Sequence, residues 1–292
     1  MDKKKKNIAQ IKEKKLKGEK ITMLTAYDCP FASLLDEAQI DIILVGDSAA
    51  NVVLGYQNTI PVTMDEMILL TRSVSRGVKE AIVIGDMPFG SYNTSIEDAI
   101  KNANRFIKEG GADAVKVEGG KSVVQTVKAL VSAGIPVMGH LGLTPQTSGM
   151  LGGYRVQAKT ARSALELIED ALSLEKAGAF SIVVECIPDA VAKFLTIATQ
   201  IPVIGIGAGP HCDGQVLVLH DMLGIKAGFT PKFVKSYANL NEIITEAVKS
   251  YKDEVERGKF PGPEHSFKME KTEEEHLQIY MSKRSNNNST FQ

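Results

Sequence analysis

Several ionisable residues stand at or near the ends of short apolar runs, where they could bind a metal or move a proton. The runs are Ile43-Leu44-Val45-Gly46-Asp47-Ser48, Ile82-Val83-Ile84-Gly85-Asp86, Ala114-Val115-Lys116-Val117-Glu118, Pro136-Val137-Met138-Gly139-His140 and Ile182-Val183-Val184-Glu185. Asp47, Asp86 and Glu118 offer oxygen only, the donor set of a hard cation such as Mg²⁺. Each acid could instead cap the helix that follows it, a role that suits Asp. Capping, however, does not require the same position on three consecutive units. Lys116 lies two residues before Glu118 and faces the same side of its strand. Its charge needs an anionic partner, either a substrate carboxylate or Glu118 itself. With Glu118 beside it the amine is expected to stay protonated, which argues against imine chemistry. Glu185 follows Val183 and Val184, a setting that suits a general base; the alternative is a metal-shell or ion-pair carboxylate. His140 could hydrogen-bond a substrate oxygen or be a satisfied structural residue. His220 and Asp221 end a later run and are weaker candidates for the same place.

The elements that must position these groups alternate. Val- and Ile-rich runs of four or five residues read as buried strands. They fall near Thr22–Thr25, Ile42–Gly46, Ile82–Gly85, Ala114–Val117, Val137–Gly139, Ser181–Val184, Val203–Gly205 and Val216–Leu219. Helices are expected over Phe31–Gln39, Met64–Gly77, Ile96–Glu109, Lys121–Ser132, Ala161–Ala177 and Ala190–Thr199. Thr63 with Glu66 forms a capping-box pattern, and Ser95 precedes another helix start. Eight strands alternating with helices predict a single-domain (β/α)8 TIM barrel, with strand carboxyl ends converging on one mouth. The Gly205–Val216 link is too short for an outer helix. Phe233–Val255 reads as one or two outer helices. Gly205-Ile206-Gly207-Ala208-Gly209 has the wrong spacing for a dinucleotide fingerprint. It reads as a loop over a ligand or as a plain tight turn.

Composition sets the bounds. The chain has 292 residues, 43% hydrophobic, with 34 Lys plus Arg against 35 Asp plus Glu. A near-neutral chain gives no electrostatic reason to expect nucleic acid. No apolar run approaches the ~18 residues of a membrane span. Cys29, Cys186 and Cys212 form no CxxC pair, which suggests a reduced, cytoplasmic compartment. Residues 1–20 read as a lysine-rich arm or helix, most simply a solvated one. Residues 21–262 read as the barrel. Residues 263–292, with Glu273-Glu274-Glu275 and Ser285-Asn286-Asn287-Asn288-Ser289, read as a polar, partly disordered tail.

Several longer strings resemble one family, ketopantoate hydroxymethyltransferase. They are Ile21-Thr22-Met23-Leu24-Thr25-Ala26-Tyr27-Asp28, Val45-Gly46-Asp47-Ser48, Gly85-Asp86-Met87-Pro88-Phe89-Gly90-Ser91-Tyr92 and Lys116-Val117-Glu118-Gly119-Gly120. Gly139-His140-Leu141-Gly142-Leu143-Thr144-Pro145-Gln146, Val184-Glu185-Cys186-Ile187-Pro188 and Ile204-Gly205-Ile206-Gly207-Ala208-Gly209 continue the match. The resemblance runs from about Asn7 to Phe267 and leaves out the lysine-rich start and the tail. It implies a Mg²⁺-dependent barrel enzyme of pantothenate biosynthesis. Such an enzyme passes a one-carbon unit from 5,10-methylenetetrahydrofolate to 3-methyl-2-oxobutanoate, giving 2-dehydropantoate. It further implies a cytoplasmic homo-oligomer, usually a decamer. By motif, Asp47 and Asp86 would bind Mg²⁺, with Glu118 as a further, water-mediated or direct, ligand. Asp47, Ser48, Asp86 and Lys116 would contact the oxo acid, and Glu185 would accept the proton. Two other readings share the barrel: a lyase like the related phosphoenolpyruvate mutase and isocitrate lyase group, and a binding protein without catalysis.

Overall fold

The computed structural model describes residues 5–150, 153, 155–225 and 231–288. Lys3 and Lys4 of the basic run, and Ser289 with the three residues after it, lie outside them. Eight parallel strands close a barrel in chain order: β1 Ile21–Thr25, β2 Ile42–Val45, β3 Ile82–Asp86, β4 Ala114–Glu118, β5 Val137–Gly142, β6 Ser181–Glu185, β7 Val203–Ile206 and β8 Gly214–Leu217. The ring shuts where β1 pairs with β8, Ile21 against Gly214 and Leu24 against Leu217. Helix α1, Ile8–Lys17, precedes the barrel. Then α2 Cys29–Glu37 follows β1, and α3 Ala49–Val52 and α4 Met64–Gly77 follow β2. After β3 comes α5 Ile96–Arg105, prolonged by a wider π turn over Phe106–Gly110. Then α6 Val124–Ser132, α7 Ala161–Ala177 and α8 Asp189–Ala198 follow β4, β5 and β6. As the short link requires, no helix separates β7 from β8; α9 Leu219–Leu223 follows β8.

The expected caps form. The Thr63 hydroxyl accepts from the Glu66 N–H, and the Glu66 carboxylate accepts from the Thr63 N–H at 2.7 Å. Gly178 ends α7 at φ +103°, a conformation costly for a residue with a Cβ. The Gly207 and Gly209 loop resolves to packing: at positive φ, a Cβ on Gly209 would meet Asp189 Cβ at 2.5 Å, and one on Gly207 would meet Phe233 at 2.7 Å. Positive φ and close packing account for both glycines, which also line a cavity with Phe233 and Tyr237.

Alternation along the strands sorts the core in two. Ile43, Val45, Val83, Val115, Val137, Ile182 and Val184 face outward beneath the helices. Ile42, Leu44, Ile82, Ile84, Ala114, Met138, Val183 and Ile204 fill the barrel. Continuing the inward parity upward reaches Asp86, Lys116, Glu118, His140 and Glu185. The polar mouth is thus the top layer of an otherwise apolar interior.

From Lys5 on, the lysine-rich start packs against the barrel and does not stand off as a solvated arm. Helix α1 buries Ile11, 1% exposed, against Ile21, Met23 and other interior residues at the barrel floor. Its flanking lysines meet aspartates that stand just before strands. Lys6 and Lys14 reach Asp41, Lys15 reaches Asp213 at 2.9 Å, and Lys5 reaches Asp113 at 2.7 Å. Each of these aspartates also accepts a backbone N–H from the preceding strand: Asp41 from Thr22, Asp113 from Val83, Asp213 from Val203. Basic composition alone could not reveal that the counter-charges wait at strand starts far along the chain.

The chain divides into two compact units, Met1–Ala238 and Asn239–Gln292. The second holds α10 Leu240–Glu256, a short turn at Pro263–His265 and α11 Lys271–Asn288, with Phe260 packed between Tyr251 and His265. The division falls before α10, not at residue 262, because α10 is as amphipathic as a barrel helix and its composition marks no boundary. A helix also occupies most of the segment whose polar composition suggested a disordered tail.

Replacing Ile11 by Ala is expected to lower stability by about 2–4 kcal/mol, because the cavity opens inside a closed barrel. Urea unfolding of Ile11→Ala against the exposed-site control Lys12→Ala checks this; equal midpoints would mean that α1 does not seal the floor.

Candidate active site

Register between strands decides which polar groups meet. Asp86 on β3 pairs with Lys116 on β4, so their side chains rise together. Lys116 Nζ lies 2.6 Å from Asp86 Oδ1 and 3.7 Å from Glu118 Oε1. The first protein partner of Lys116 is therefore Asp86, an option that reading one strand at a time did not include. The other Asp86 oxygen, Oδ2, accepts the Asp47 backbone N–H at 3.1 Å. Asp47 itself is off the inward parity of β2; the chain leaves β2 after Val45 and turns toward α3, bringing Asp47 over the rim.

Glu118 and His140 are register partners on β4 and β5. His140 Nδ1 lies 3.0 Å from Glu118 Oε1, and Nε2 lies 3.2 Å from Glu185 Oε2. The second contact is close enough for an ion pair but badly aligned, so Nε2 makes no hydrogen bond. His140 thus stands between two carboxylates, and the structure gives it protein partners in place of the substrate oxygen suggested for it. Glu118 Oε2 accepts the Gln146 backbone N–H at 3.1 Å. Asp47 Oδ2 accepts from Gln146 Nε2 at 3.1 Å. None of the three acids caps the helix of its own βα unit, so the capping alternative fails for all of them. The Ser48 hydroxyl is 2.8 Å from the Tyr27 hydroxyl. His220 lies against the rings of Tyr27 and Phe31 and makes no hydrogen bond through Nδ1.

The electrostatics are lopsided. Asp47, Asp86, Glu118 and Glu185 face only Lys116 and His140. Asp86, Lys116 and Glu118 have side chains 4% exposed or less, while Glu185 is 16% exposed. Burial, together with the charges of Asp86 and Glu118, holds the Asp47 carboxyl well above the usual range. Burial also raises Asp86, although Lys116 opposes it. Burial pushes Lys116 down, but Asp86, Glu118 and Asp47 outweigh it and keep the ammonium protonated, as expected for a lysine that does not form imines. Burial would raise Glu118, yet His140 and Lys116 draw it below the usual range. Burial and Lys116 oppose a charge on His140, and the carboxylates of Glu118 and Glu185 win, lifting it to about 9.

These features fit a divalent cation. Among the described residues no three His, Cys or carboxylate side chains converge closely enough to hold an ion unaided. Mg²⁺ does not need that, since it commonly takes one or two protein carboxylates and completes its shell with water and substrate oxygens. Asp47 has no ion-pair partner among the described residues, and Asp86 has Lys116. Together they form the under-neutralised pair, while both Glu118 oxygens are already engaged within the protein. The sequence reading missed Gln146 and Tyr92. Both lie inside the recognised strings, but on loops, where no strand period announces an inward side chain.

Because the His140 pKa is raised on folding, its contribution to stability is fully present below about pH 6.5 and lost as the pH passes about 9. The metal-free protein is expected to show one of its five histidine resonances titrating near 9, absent in His140→Gln. Two-dimensional NMR of the imidazole carbons reads this; a set titrating wholly below 7.5 would show that His140 is neutral.

Comparison with known proteins now bears on this site. Residues 5–263 match the family model of ketopantoate hydroxymethyltransferase. A 3-methyl-2-oxobutanoate hydroxymethyltransferase of Heliobacterium modesticaldum is 59% identical over 267 residues, covering 91% of this chain and 97% of that protein. One from Moorella thermoacetica is 57% identical, covering 89% and 97%. Among solved structures, phosphonopyruvate hydrolase in complex with oxalate and Mg²⁺ superposes with a TM-score of 0.58 at 12% identity, covering 97% and 98% of the two chains. For 2,3-dimethylmalate lyase, of the PEP mutase/isocitrate lyase superfamily, the values are 0.56 and 14%, again over 97% and 98%. At such low identity these two likenesses speak for the barrel fold alone. The relatives, which share more than half their residues with it along nearly its whole length, and the family match from the floor helix past the last strand establish that the chain belongs to the ketopantoate hydroxymethyltransferase family.

Proposed function

We propose that this chain transfers a hydroxymethyl group from 5,10-methylenetetrahydrofolate to 3-methyl-2-oxobutanoate, giving 2-dehydropantoate and tetrahydrofolate in pantothenate biosynthesis. One observation carries the reading. An under-neutralised Asp47 and Asp86 pair beside Lys116 shares a mouth with Glu185, and β2 and β6 lie opposite each other in the eight-membered ring. An oxo acid seated between them would have its carboxyl end at the cationic side and its C3 toward a base.

Asp47 and Asp86 would hold Mg²⁺, with Glu118 as an outer partner. The ion would supply Lewis-acid polarisation of the 2-oxo acid and a template for its orientation. The protein groups do the rest. Lys116, held protonated by its carboxylates, balances the substrate carboxylate. Ser48, steadied by the Tyr27 hydroxyl, offers a donor to the same end and helps fix which face of C3 is presented. Glu185 accepts the C3 proton, and water, adding to the folate's methylene carbon, frees it as formaldehyde with both folate nitrogens left as N–H. C3 then attacks that carbon, and the proton held by Glu185 returns to the new alkoxide, so the hydroxyl oxygen comes from water. Glu185 Oε2 lies beside His140, and among the described residues Oε1 makes no hydrogen bond or ion pair, which leaves it for the substrate. His140 keeps Glu185 in place against Glu118.

The same reading places the enzyme in the cytoplasm, supported by three free cysteines. No helix among the described residues is long and apolar enough to cross a membrane. It also makes the protein a homo-oligomer, a decamer by family resemblance. Phe194 and Ile197 on α8, 63% and 68% exposed, support self-association. This reading calls for neither nucleic acid nor a membrane surface.

In D₂O with Mg²⁺ and 3-methyl-2-oxobutanoate, the protein is expected to place deuterium at C3 without folate. Glu185→Gln should lower that exchange roughly 100-fold or more, the size of a lost general base, while oxo-acid binding by calorimetry persists. No exchange by the folded, Mg²⁺-loaded wild type would refute the proposed chemistry, and undiminished exchange by the variant would remove Glu185 as the base.

A further inference from the structure

Gln146 takes no part in the chemistry above, yet it is more fully engaged than any other uncharged side chain at the mouth. It is 2% exposed and sits in the short turn Pro145–Thr147 after β5. Its Nε2 donates to Asp47 Oδ2 at 3.1 Å and to the Met87 carbonyl at 3.0 Å. Its Oε1 accepts from the Tyr92 hydroxyl at 2.8 Å, and its backbone N–H donates to Glu118 Oε2 at 3.1 Å. These partners fix which way round the amide lies. Turned over, Oε1 would face two acceptors, a carboxylate and a carbonyl. Tyr92 supports the choice: its hydroxyl accepts the Glu118 N–H at 3.3 Å, and of the two acceptors in its reach Gln146 Oε1 at 2.8 Å is closer than the Glu118 carbonyl at 3.3 Å. Among the described residues Gln146 is the one donor to the Asp47 carboxylate, and Asp47 Oδ1 makes no hydrogen bond.

We propose that Gln146 is a positioning residue: locked by Tyr92, it ties down Asp47 Oδ2 and so presents Oδ1 to the bound cation. The Asp47 carboxylate has two χ angles to settle and, among the described residues, no ion-pair partner to settle them. Without Gln146 it would sample several orientations, and a ligand ion would have to select one. The backbone bond to Glu118 lets the same turn hold two acids at a fixed separation. The inference rests on the reading of Asp47 as a cation ligand.

Mn²⁺ binding in the presence of 3-methyl-2-oxobutanoate, followed by electron paramagnetic resonance, tests it without catalysis. Gln146→Met keeps the volume and removes every side-chain hydrogen bond. It is expected to weaken Mn²⁺ binding roughly 10- to 100-fold, the usual effect of losing a group that orients a metal ligand. Tyr92→Phe should weaken it less, and the double variant should bind no worse than Gln146→Met, because Tyr92 acts through Gln146. Should Gln146→Met fail to fold, by circular dichroism, Tyr92→Phe carries the test, and unaltered Mn²⁺ affinity in it would overturn the inference. Failure of the wild type to bind Mn²⁺ would remove Asp47 as ligand and this inference with it. Mn²⁺ binding by wild type and Gln146→Met alike, within twofold, would overturn the inference alone, as would a loss of thermal stability with unchanged affinity.

Discussion

Lys116 stands 2.6 Å from Asp86 and 3.7 Å from Glu118 at the top of a column of aliphatic side chains, and the arrangement of the mouth depends on that ammonium. No water-like environment below it can solvate the charges, because Ile82, Ile84, Ala114 and Met138 fill the barrel beneath. A buried carboxylate deprived of its partner costs about 3–5 kcal/mol. Asp86 has that partner, and Glu118 has a share of it together with His140. Asp47 has none, and its carboxyl is accordingly the most reluctant of the three to ionise. The cluster is therefore short of positive charge in one place. A cation arriving there would allow Asp47 to ionise.

His140 connects the two halves of the mouth. One ring nitrogen contacts Glu118, on the side of the acids, and the other approaches Glu185, on the side of the proposed base. A protonated imidazole there neutralises part of both carboxylates and fixes their spacing. It also explains why Glu118 is drawn low while Asp47 and Asp86 are driven high, although all three are buried. Environment, not residue type, separates their roles.

Much of this was legible in the sequence. Apolar runs marked the strands, since a strand covered on both faces is mostly apolar, although β8 begins two residues before the expected Val216–Leu219 because its start, Gly214-Gln215, carries no apolar signal. A period of two then carried Lys116 and Glu118 to one side, and the run ends carried Asp86, His140 and Glu185 there as well. What stayed hidden is what depends on neighbours. The Asp86 partner of Lys116 follows from inter-strand register, which one strand does not encode. Gln146 lies on a turn, where no period predicts direction. The basic start read as solvent-facing because nothing local shows that Asp41, Asp113 and Asp213 face it, or that Ile11 plugs the floor.

The two ends of the barrel make the physical distinction clear. At the floor, each of three aspartates receives a backbone N–H and at least one lysine, so its charge is fully matched and its work is structural. At the mouth, the same residue type is undersupplied: among the described residues the Asp47 carboxylate receives one amide N–H and forms no ion pair. An aspartate at the end of a strand cannot be assigned to structure or function from its identity, but it can from the sum of positive charge and donors around it. By that measure the floor is closed, while the mouth is short of positive charge around Asp47, a shortfall of the kind a divalent ion would make good. With Asp47 ionised, the carboxylates outnumber Lys116 and the protonated His140 by the charge of one divalent ion, so the ion, not the oxo acid, is what the mouth calls for first.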